Sequence, residues 1–162
     1  MFFRLFLASV ALVAIPGLAL AQGTQVTFGG TKQDTSQPVE VSADALSVNQ
    51  DDGSALYTGN VVIGQGDMRL AAPRVLVIYS EDNRRIERME ATGGVTLVNG
   101  EEAAEAQRAD YHVNDGNIVM SGNVLMTQGV NALAADRMTV NLDNGTAQMS
   151  GRVRTIFQPK EE

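Results

Sequence analysis

The 162-residue sequence has no cysteine, no tryptophan and one histidine, and aromatic residues make up only 5% of it. Without cysteine there is no disulfide framework, no thiolate metal site and no cysteine nucleophile. One histidine excludes a multi-histidine metal cage, and any Ser-His-Asp triad would have to run through His112 alone. Lysine is confined to Lys32 and Lys160, and acidic residues outnumber basic ones 19 to 12, for a formal charge of −7. That sign is wrong for a protein that tracks nucleic-acid phosphates. No glycine-rich nucleotide loop or other nucleotide motif occurs. Beyond the N-terminus no apolar run approaches the ~20 residues that span a bilayer.

The N-terminus itself reads as an export signal. Arg4 supplies a positive start, Leu5 to Leu20 form the apolar stretch broken by Pro16-Gly17, and Ala19-Leu20-Ala21 is a small-residue cleavage site. A membrane anchor is the alternative, but the stretch is short for one and ends in the cleavage pattern. Cleavage after Ala21 releases an exported chain beginning at Gln22. It leaves 11 basic against 19 acidic residues, a charge of −8. Residues 22–37 are polar and rich in Gly, Thr and Gln, the composition of a flexible tail. Residues 158–162 form a second short tail, so the domain spans 38–157.

Glycine is abundant, at 16 residues, and it is periodic. Residues 59–77 (GNVVIGQGDMRLAAPRVLV) and 122–140 (GNVLMTQGVNALAADRMTV) are identical at 10 of 19 positions without gaps. Two related halves follow. Within them a smaller unit, [Thr/Ser]-Gly-x-Val, occurs at Gly59, Gly93, Gly122 and Gly151. A second marker alternates with it, at Ala43-Asp44, Ala72-Pro73, Ala109-Asp110 and Ala135-Asp136. A mid-strand glycine marks a bulge or bend, and four at matched heights would curl a sheet into a trough. Asp51-Asp52-Gly53, Asn99-Gly100, Asn114-Asp115-Gly116 and Asp143-Asn144-Gly145 are hairpin-turn signals. Residues 101–108 (EEAAEAQR) have helix-forming composition, but the repeat requires a strand there, and tertiary context overrides weak propensity.

Alternation makes the units β-strands with one apolar face. That face collects Tyr57, Val61, Ile63, Met68, Leu70, Val75, Val77, Met89, Val95, Met120, Val124, Met126, Leu133, Met138, Val140 and Met149. All six methionines downstream of the leader belong to it. One reading is ordinary core filler. The other is a pliable, polarizable lining for apolar cargo, in a chain with few large aromatics to pack tightly. Asp44, Asp110 and Asp136 recur at repeat positions and read as structural, with side chain to backbone hydrogen bonds at strand entry. His112, beside Tyr111 on the opposite strand parity, reads as a surface or edge residue. The strands near Val39–Val48 and Gly151–Phe157 close the two ends of the sheet. They offer Val39, Val41, Leu46 and Val48 at one edge and Val153, Thr155 and Phe157 at the other as templates for strand addition.

The leader, the Ala-Asp-x-φ-x-φ strand openings, the Thr/Ser-Gly-Asn-Val units followed by Gln-Gly, and the length together resemble the OstA-like family, the LptA group of periplasmic lipopolysaccharide-transport proteins. The resemblance covers about residues 38–157. It implies an all-β fold, a twisted, incompletely closed antiparallel β-jelly-roll. It implies lipopolysaccharide as cargo, its lipid A acyl chains held in an apolar groove lined by the sixteen residues above. It further implies edge-strand pairing with inner-membrane LptC-like and outer-membrane LptD-like β-modules, or head-to-tail with copies of itself. No catalytic residue, metal or other cofactor is assigned. The alternatives are an envelope scaffold module without lipid cargo and an enzyme acting on envelope polysaccharide, which needs two carboxylates facing one cleft.

Overall fold

A computed structural model describes residues 24–28, 33–82 and 85–159. The export signal and its cleavage after Ala21 lie outside these residues. The described chain forms β1 (Thr24–Thr27), β2 (Glu40–Ser42), β3 (Ala45–Asn49), β4 (Ser54–Gln65), β5 (Met68–Tyr79), β6 (Ile86–Asn99), β7 (Glu102–His112), β8 (Asn117–Gln128), β9 (Asn131–Asn141), β10 (Thr146–Ser150) and β11 (Arg154–Ile156). The one short helix among the described residues is a 3-10 turn, Val113–Asp115. Residues 102–108 are strand, as the repeat requires.

All strands belong to one antiparallel sheet, ordered β1-β10-β9-β8-β7-β6-β5-β4-β2, with β3 also on β4 and β11 also on β9. The sheet is open and incompletely closed, because β2 and β3 at one end pair nothing but β4. Each of the four sequence turn signals falls in a connection between strands.

One sheet with no second layer can bury a face only by folding on itself, and the register shows where it does. Every long hairpin pair slips at the same height: after Thr58 in β4, between Ala71 and Arg74 in β5, after Thr92 in β6, between Glu105 and Arg108 in β7, and after Ser121 in β8. This line of bulges, the spine, divides the sheet into two arms. The first arm holds residues 61–72, 95–106 and 124–135, with β2 and β11. The second holds 54–58, 74–79, 86–92, 108–112, 117–121 and 137–141, with β1, β3 and β10. Inward residues of both arms, Val61, Leu70, Leu97 and Met126 from the first and Val77, Met89, Met120 and Met138 from the second, share one core and are essentially solvent-free.

The spine explains the repeated glycines. Gly59 and Asn60 both have positive φ, 79° and 45°, as do Gly122 and Asn123, at 83° and 49°. Two successive left-handed residues insert a bend without changing which face the strand buries. Glycine takes this conformation freely, and asparagine tolerates it better than most side chains. At Gly59 the space is also gone: a Cβ there would lie 2.6 Å from Asp44 Oδ2 and 2.9 Å from Asp44 Cβ. The Asp44 N–H donates to Gly59 O at 2.9 Å, and Asn60 Nδ2 donates to Asp44 Oδ2 at 2.8 Å.

Register corrects one repeat assignment. The residue facing Gly122 is Gln107, not Asp110; its Oε1 occupies the place that Asp44 fills at Gly59 and Asp136 at Gly151. The second marker in that unit is therefore Ala106-Gln107, not Ala109-Asp110. The signal that could have found it is the arginine that follows three of the markers, Arg74, Arg108 and Arg137. Asp110 lies on the outer surface, paired with Arg108 at 2.6 Å.

The tails and edges also differ from expectation. Within the 22–37 segment, Thr24–Thr27 form β1 on β10, and Phe28 is 0% exposed in the core. The N-terminal edge is two strands, β2 and β3, broken at Ala43-Asp44 by the spine. At the C-terminal end only Arg154–Ile156 is strand, and it lies on β9 beside, rather than beyond, β10.

Candidate lipid-binding site

The repeat puts an apolar side chain, large or alanine, at most alternate residues of each arm, and the fold turns both rows inward. Fifteen of the sixteen interior candidates are buried, including all six methionines; Tyr57 is the half-buried exception. They pack against one another as a closed core, so the continuous open groove expected along them is not what the structure has. The inner face reaches solvent at the β3–β4 end. There β3 extends the inner row past the core, with Leu46 opposite Tyr57 and Val48 opposite Ala55. Leu46 is 54% and Val48 63% exposed. These residues, with Tyr79, line a cleft of about 470 Å³. Burial raises the Tyr57 phenol above its usual pKa, and the neighbouring Tyr79 hydroxyl adds to that. The cleft is an uncharged, aromatic-walled mouth.

The other edge candidates separate by arm. Val39 and Val41 are half-buried beside β4, and Val41 faces Ile63. Thr155 faces Leu133, while Val153, Ile156 and Phe157 are 37%, 49% and 74% exposed around β11. Among the described residues β2, β3, β11 and β1 each pair on one side only, which leaves their outer edges as places to extend the sheet.

Away from the mouth, the open margins of the two arms meet in a polar seam. Gln65, at the first arm's margin, is only 2% exposed. Its Nε2 donates to Thr35 O at 2.9 Å and to Gln37 O at 3.0 Å, and its Oε1 accepts from the Tyr111 hydroxyl of the second arm. Burial, with a smaller contribution from the Asp143 carboxylate, pushes the Tyr111 phenol up to about 12. A second stitch lies further along, where Gln128 Nε2 donates to Glu102 Oε1 at 2.7 Å and to Thr27 Oγ1 at 3.4 Å. The sequence analysis missed Gln65, Tyr111 and Gln128. The usable signal was that each occupies an inward parity position at or near the end of an apolar row.

On the outer face, Arg88, Glu90, Arg108 and Asp110 form a mutual ion-pair network, and His112 lies opposite Arg88. Asp136 is held by Arg152 at 2.7 Å. Asp110 and Asp136 are thus engaged in separate ion pairs. Among the described residues no group of three or more His, Asp or Glu could hold a metal, and no helix is long and apolar enough to cross a membrane.

Comparison with known proteins decides the family. The family model described as LptA/(LptD N-terminal domain) LPS transport protein matches residues 40–146. The chain belongs to this LptA/LptD-N family. It is 28% identical over 125 residues to an uncharacterised protein of Rhizobium meliloti (strain 1021), across 73% of this chain and 67% of that one. It superposes on the crystal structure of LptH, the LptA homologous periplasmic component of the lipopolysaccharide transport device of Pseudomonas aeruginosa. The TM-score is 0.69 at 19% identity, over 78% of this chain and 99% of that one. At that identity the likeness establishes the LptA fold and nothing finer. The inner face of the roll, its cleft at β3–β4 and its free edges are the candidate functional surfaces.

Proposed function

We propose that this protein is a periplasmic lipopolysaccharide carrier, passing its cargo from inner-membrane to outer-membrane modules of the same fold and performing no catalysis. The observation that carries the reading is the inner face of the roll: methionine-rich, apolar except at the margin that carries Gln65 and Glu102, and emerging at the cleft of Leu46, Val48, Ala55, Tyr57 and Tyr79. An acyl chain gains about 0.8 kcal/mol for each methylene that leaves water. Entry needs no charge contact, which suits an acidic protein and an anionic lipid. Inside, the chain exchanges one apolar neighbour for another, and unbranched methionines reshape at small cost. The free edges of β2 and β3 at one end and β11 at the other fit strand addition by LptC-like and LptD-like modules or by copies of this chain.

Photo-crosslinking in intact cells tests this. Probes at Leu46, Val61, Met126 and Met138 are expected to give lipopolysaccharide adducts, and probes at the outward Asn60 and Thr139 are expected to give none. A folded, well-expressed protein with no adduct at any position would remove the carrier reading. It would favour a scaffold joined through its edges, for which the dry core is the supporting observation.

A further inference from the structure

We propose that residues Gln33–Gln37 form a displaceable plug that holds the seam of the roll shut, and that Gln65 and Tyr111 are its latch. The inference rests on the carrier reading and adds a gate to it. A carrier needs its inner face reachable, yet this core is dry. The side chain that spans the seam at this point, Gln65, is committed to a segment from outside the repeat.

Gln65 has four side-chain hydrogen-bonding opportunities, and three are filled across the seam. Both Nε2 hydrogens go to plug carbonyls, Thr35 O and Gln37 O, and Oε1 accepts from Tyr111 on the opposite arm. Gln33 Nε2 donates to Gln65 O as well. The plug is equally fixed to the second arm: the Gln33 N–H donates to Leu142 O at 3.0 Å, and Thr35 Oγ1 to Asp143 Oδ1 at 2.8 Å. It therefore touches both margins of the roll at once. No strand pairing holds it, since none of its residues belongs to the sheet.

It is also a unit with its own internal structure. Asp34 Oδ1 accepts from the Ser36 N–H at 3.0 Å, Asp34 Oδ2 from Gln37 Nε2 at 3.0 Å, and Asp34 O from the Gln37 N–H at 3.2 Å. The Ser36 hydroxyl and the Gln37 amide hold the Asp34 carboxyl below its usual pKa. This turn can leave the seam intact, and its departure breaks the hydrogen bonds to Gln65, Leu142 and Asp143. What it leaves behind is polar, namely a glutamine amide with two free donors and a tyrosine hydroxyl. Water can satisfy these, and so can the oxygen-rich ester and amide linkages at the root of an acyl chain. The apolar residues behind Gln65 in the same row, Ile63 and Val61, would then face the tail of that chain.

Phe28 supports the same picture from the other side. It too lies outside the repeats, it is 0% exposed, and its N–H donates to Gly145 O at 3.0 Å. An aromatic side chain thus fills interior space that the repeat units leave unfilled, the kind of volume an acyl chain would occupy.

The absence of native cysteine makes the test clean. In Thr35→Cys/Asp143→Cys, purified from the periplasm of an expressing host, oxidation ties the plug to the second arm and reduction frees it. The readout is binding of the apolar fluorophore N-phenyl-1-naphthylamine and its displacement by lipopolysaccharide, with thermal melting to verify that both redox forms are folded. The reduced protein, which lacks the Thr35–Asp143 hydrogen bond, is expected to bind at least as fast as wild type, and the oxidised form at least tenfold more weakly or slowly than the reduced one. Tyr111→Phe, which keeps the ring and removes one latch hydrogen bond, is expected to speed uptake about fivefold. Equal binding by oxidised and reduced forms, or no acceleration in Tyr111→Phe, removes the plug and leaves the carrier standing. No binding of lipopolysaccharide by folded wild-type protein removes both.

Discussion

The spine and the seam both bring one arm of the sheet over the other, and they do so with different chemistry. At the spine, backbone conformation does the turning. Positive-φ pairs at Gly59-Asn60 and Gly122-Asn123 bend the strand, and a side chain from the neighbouring strand sits where a Cβ would be. At the seam, side chains do the joining. Long polar side chains, Gln65, Tyr111 and Gln128, reach across the gap to each other and to the N-terminal segment. A bend of the first kind cannot be undone without unfolding the strand. A bridge of the second kind can be opened by exchanging hydrogen-bond partners. A carrier built this way would have a permanent hinge line and a reversible closure.

The largest expected effect lies at the spine. Gly59→Ala puts a Cβ against Asp44 in a conformation that alanine resists, and should cost about 3 kcal/mol or more in urea denaturation. The control is Gly129→Ala, with a similar positive φ of 58° but nothing within 4 Å, which should cost only about 1 kcal/mol. If the two substitutions cost the same, the close packing of the spine is not what stabilises it, and the contrast with the seam loses its basis.

An intermediate effect is expected at the seam. Tyr111→Phe leaves Gln65 Oε1 buried without its donor, for a loss of about 1–3 kcal/mol at neutral pH. It also has a pH signature. The folded-state phenol titrates near 12, above its ordinary value of 10. Stability from the neutral hydroxyl is therefore complete below pH 10 and is lost as pH rises from 10 to 12, by about 2–3 kcal/mol in all. Wild type should show this alkaline loss in full, and Tyr111→Phe only the smaller part that the raised Tyr57 phenol contributes. A loss of the same size in both would place the sensitive group elsewhere.

The same contrast explains how much of the molecule could be read from the chain. The spine is written four times, so Gly59, Gly93, Gly122 and Gly151 announce it, and the alternation between them fixes which side chains turn inward. Fifteen of the sixteen interior candidates are buried for that reason. The seam is written once. Gln65 looks like a polar turn residue, and residues 33–37 look like loose tail, because nothing local says that the two meet. The Ala109-Asp110 error has the same origin. Matching letters favoured Asp110, whereas the position is defined by facing Gly122, and Gln107 meets that geometric demand equally well.

The smallest expected effect tests whether that last equivalence is real. Asp136 and Gln107 occupy the same kind of seat on the spine, one charged and one neutral. Arg152 beside Asp136 hydrogen-bonds its carboxyl and holds it below the usual range, although both side chains are exposed. A carboxyl whose folded pKa is depressed adds stability above its unfolded pKa, and that stability is lost as pH falls through the folded value. Solvent screening keeps the contribution small. Asp136→Gln should accordingly leave the urea midpoint at neutral pH almost unchanged and flatten the acid limb of the stability curve below about pH 4. Seating Gln at 136 should also preserve the bend, since Gln107 already serves one. A large loss at neutral pH would mean that the Asp136–Arg152 pair, rather than the fit of a side chain against glycine, holds that part of the spine. Arg152, the one described residue other than glycine and asparagine at positive φ, would then be the reason the charge is kept there.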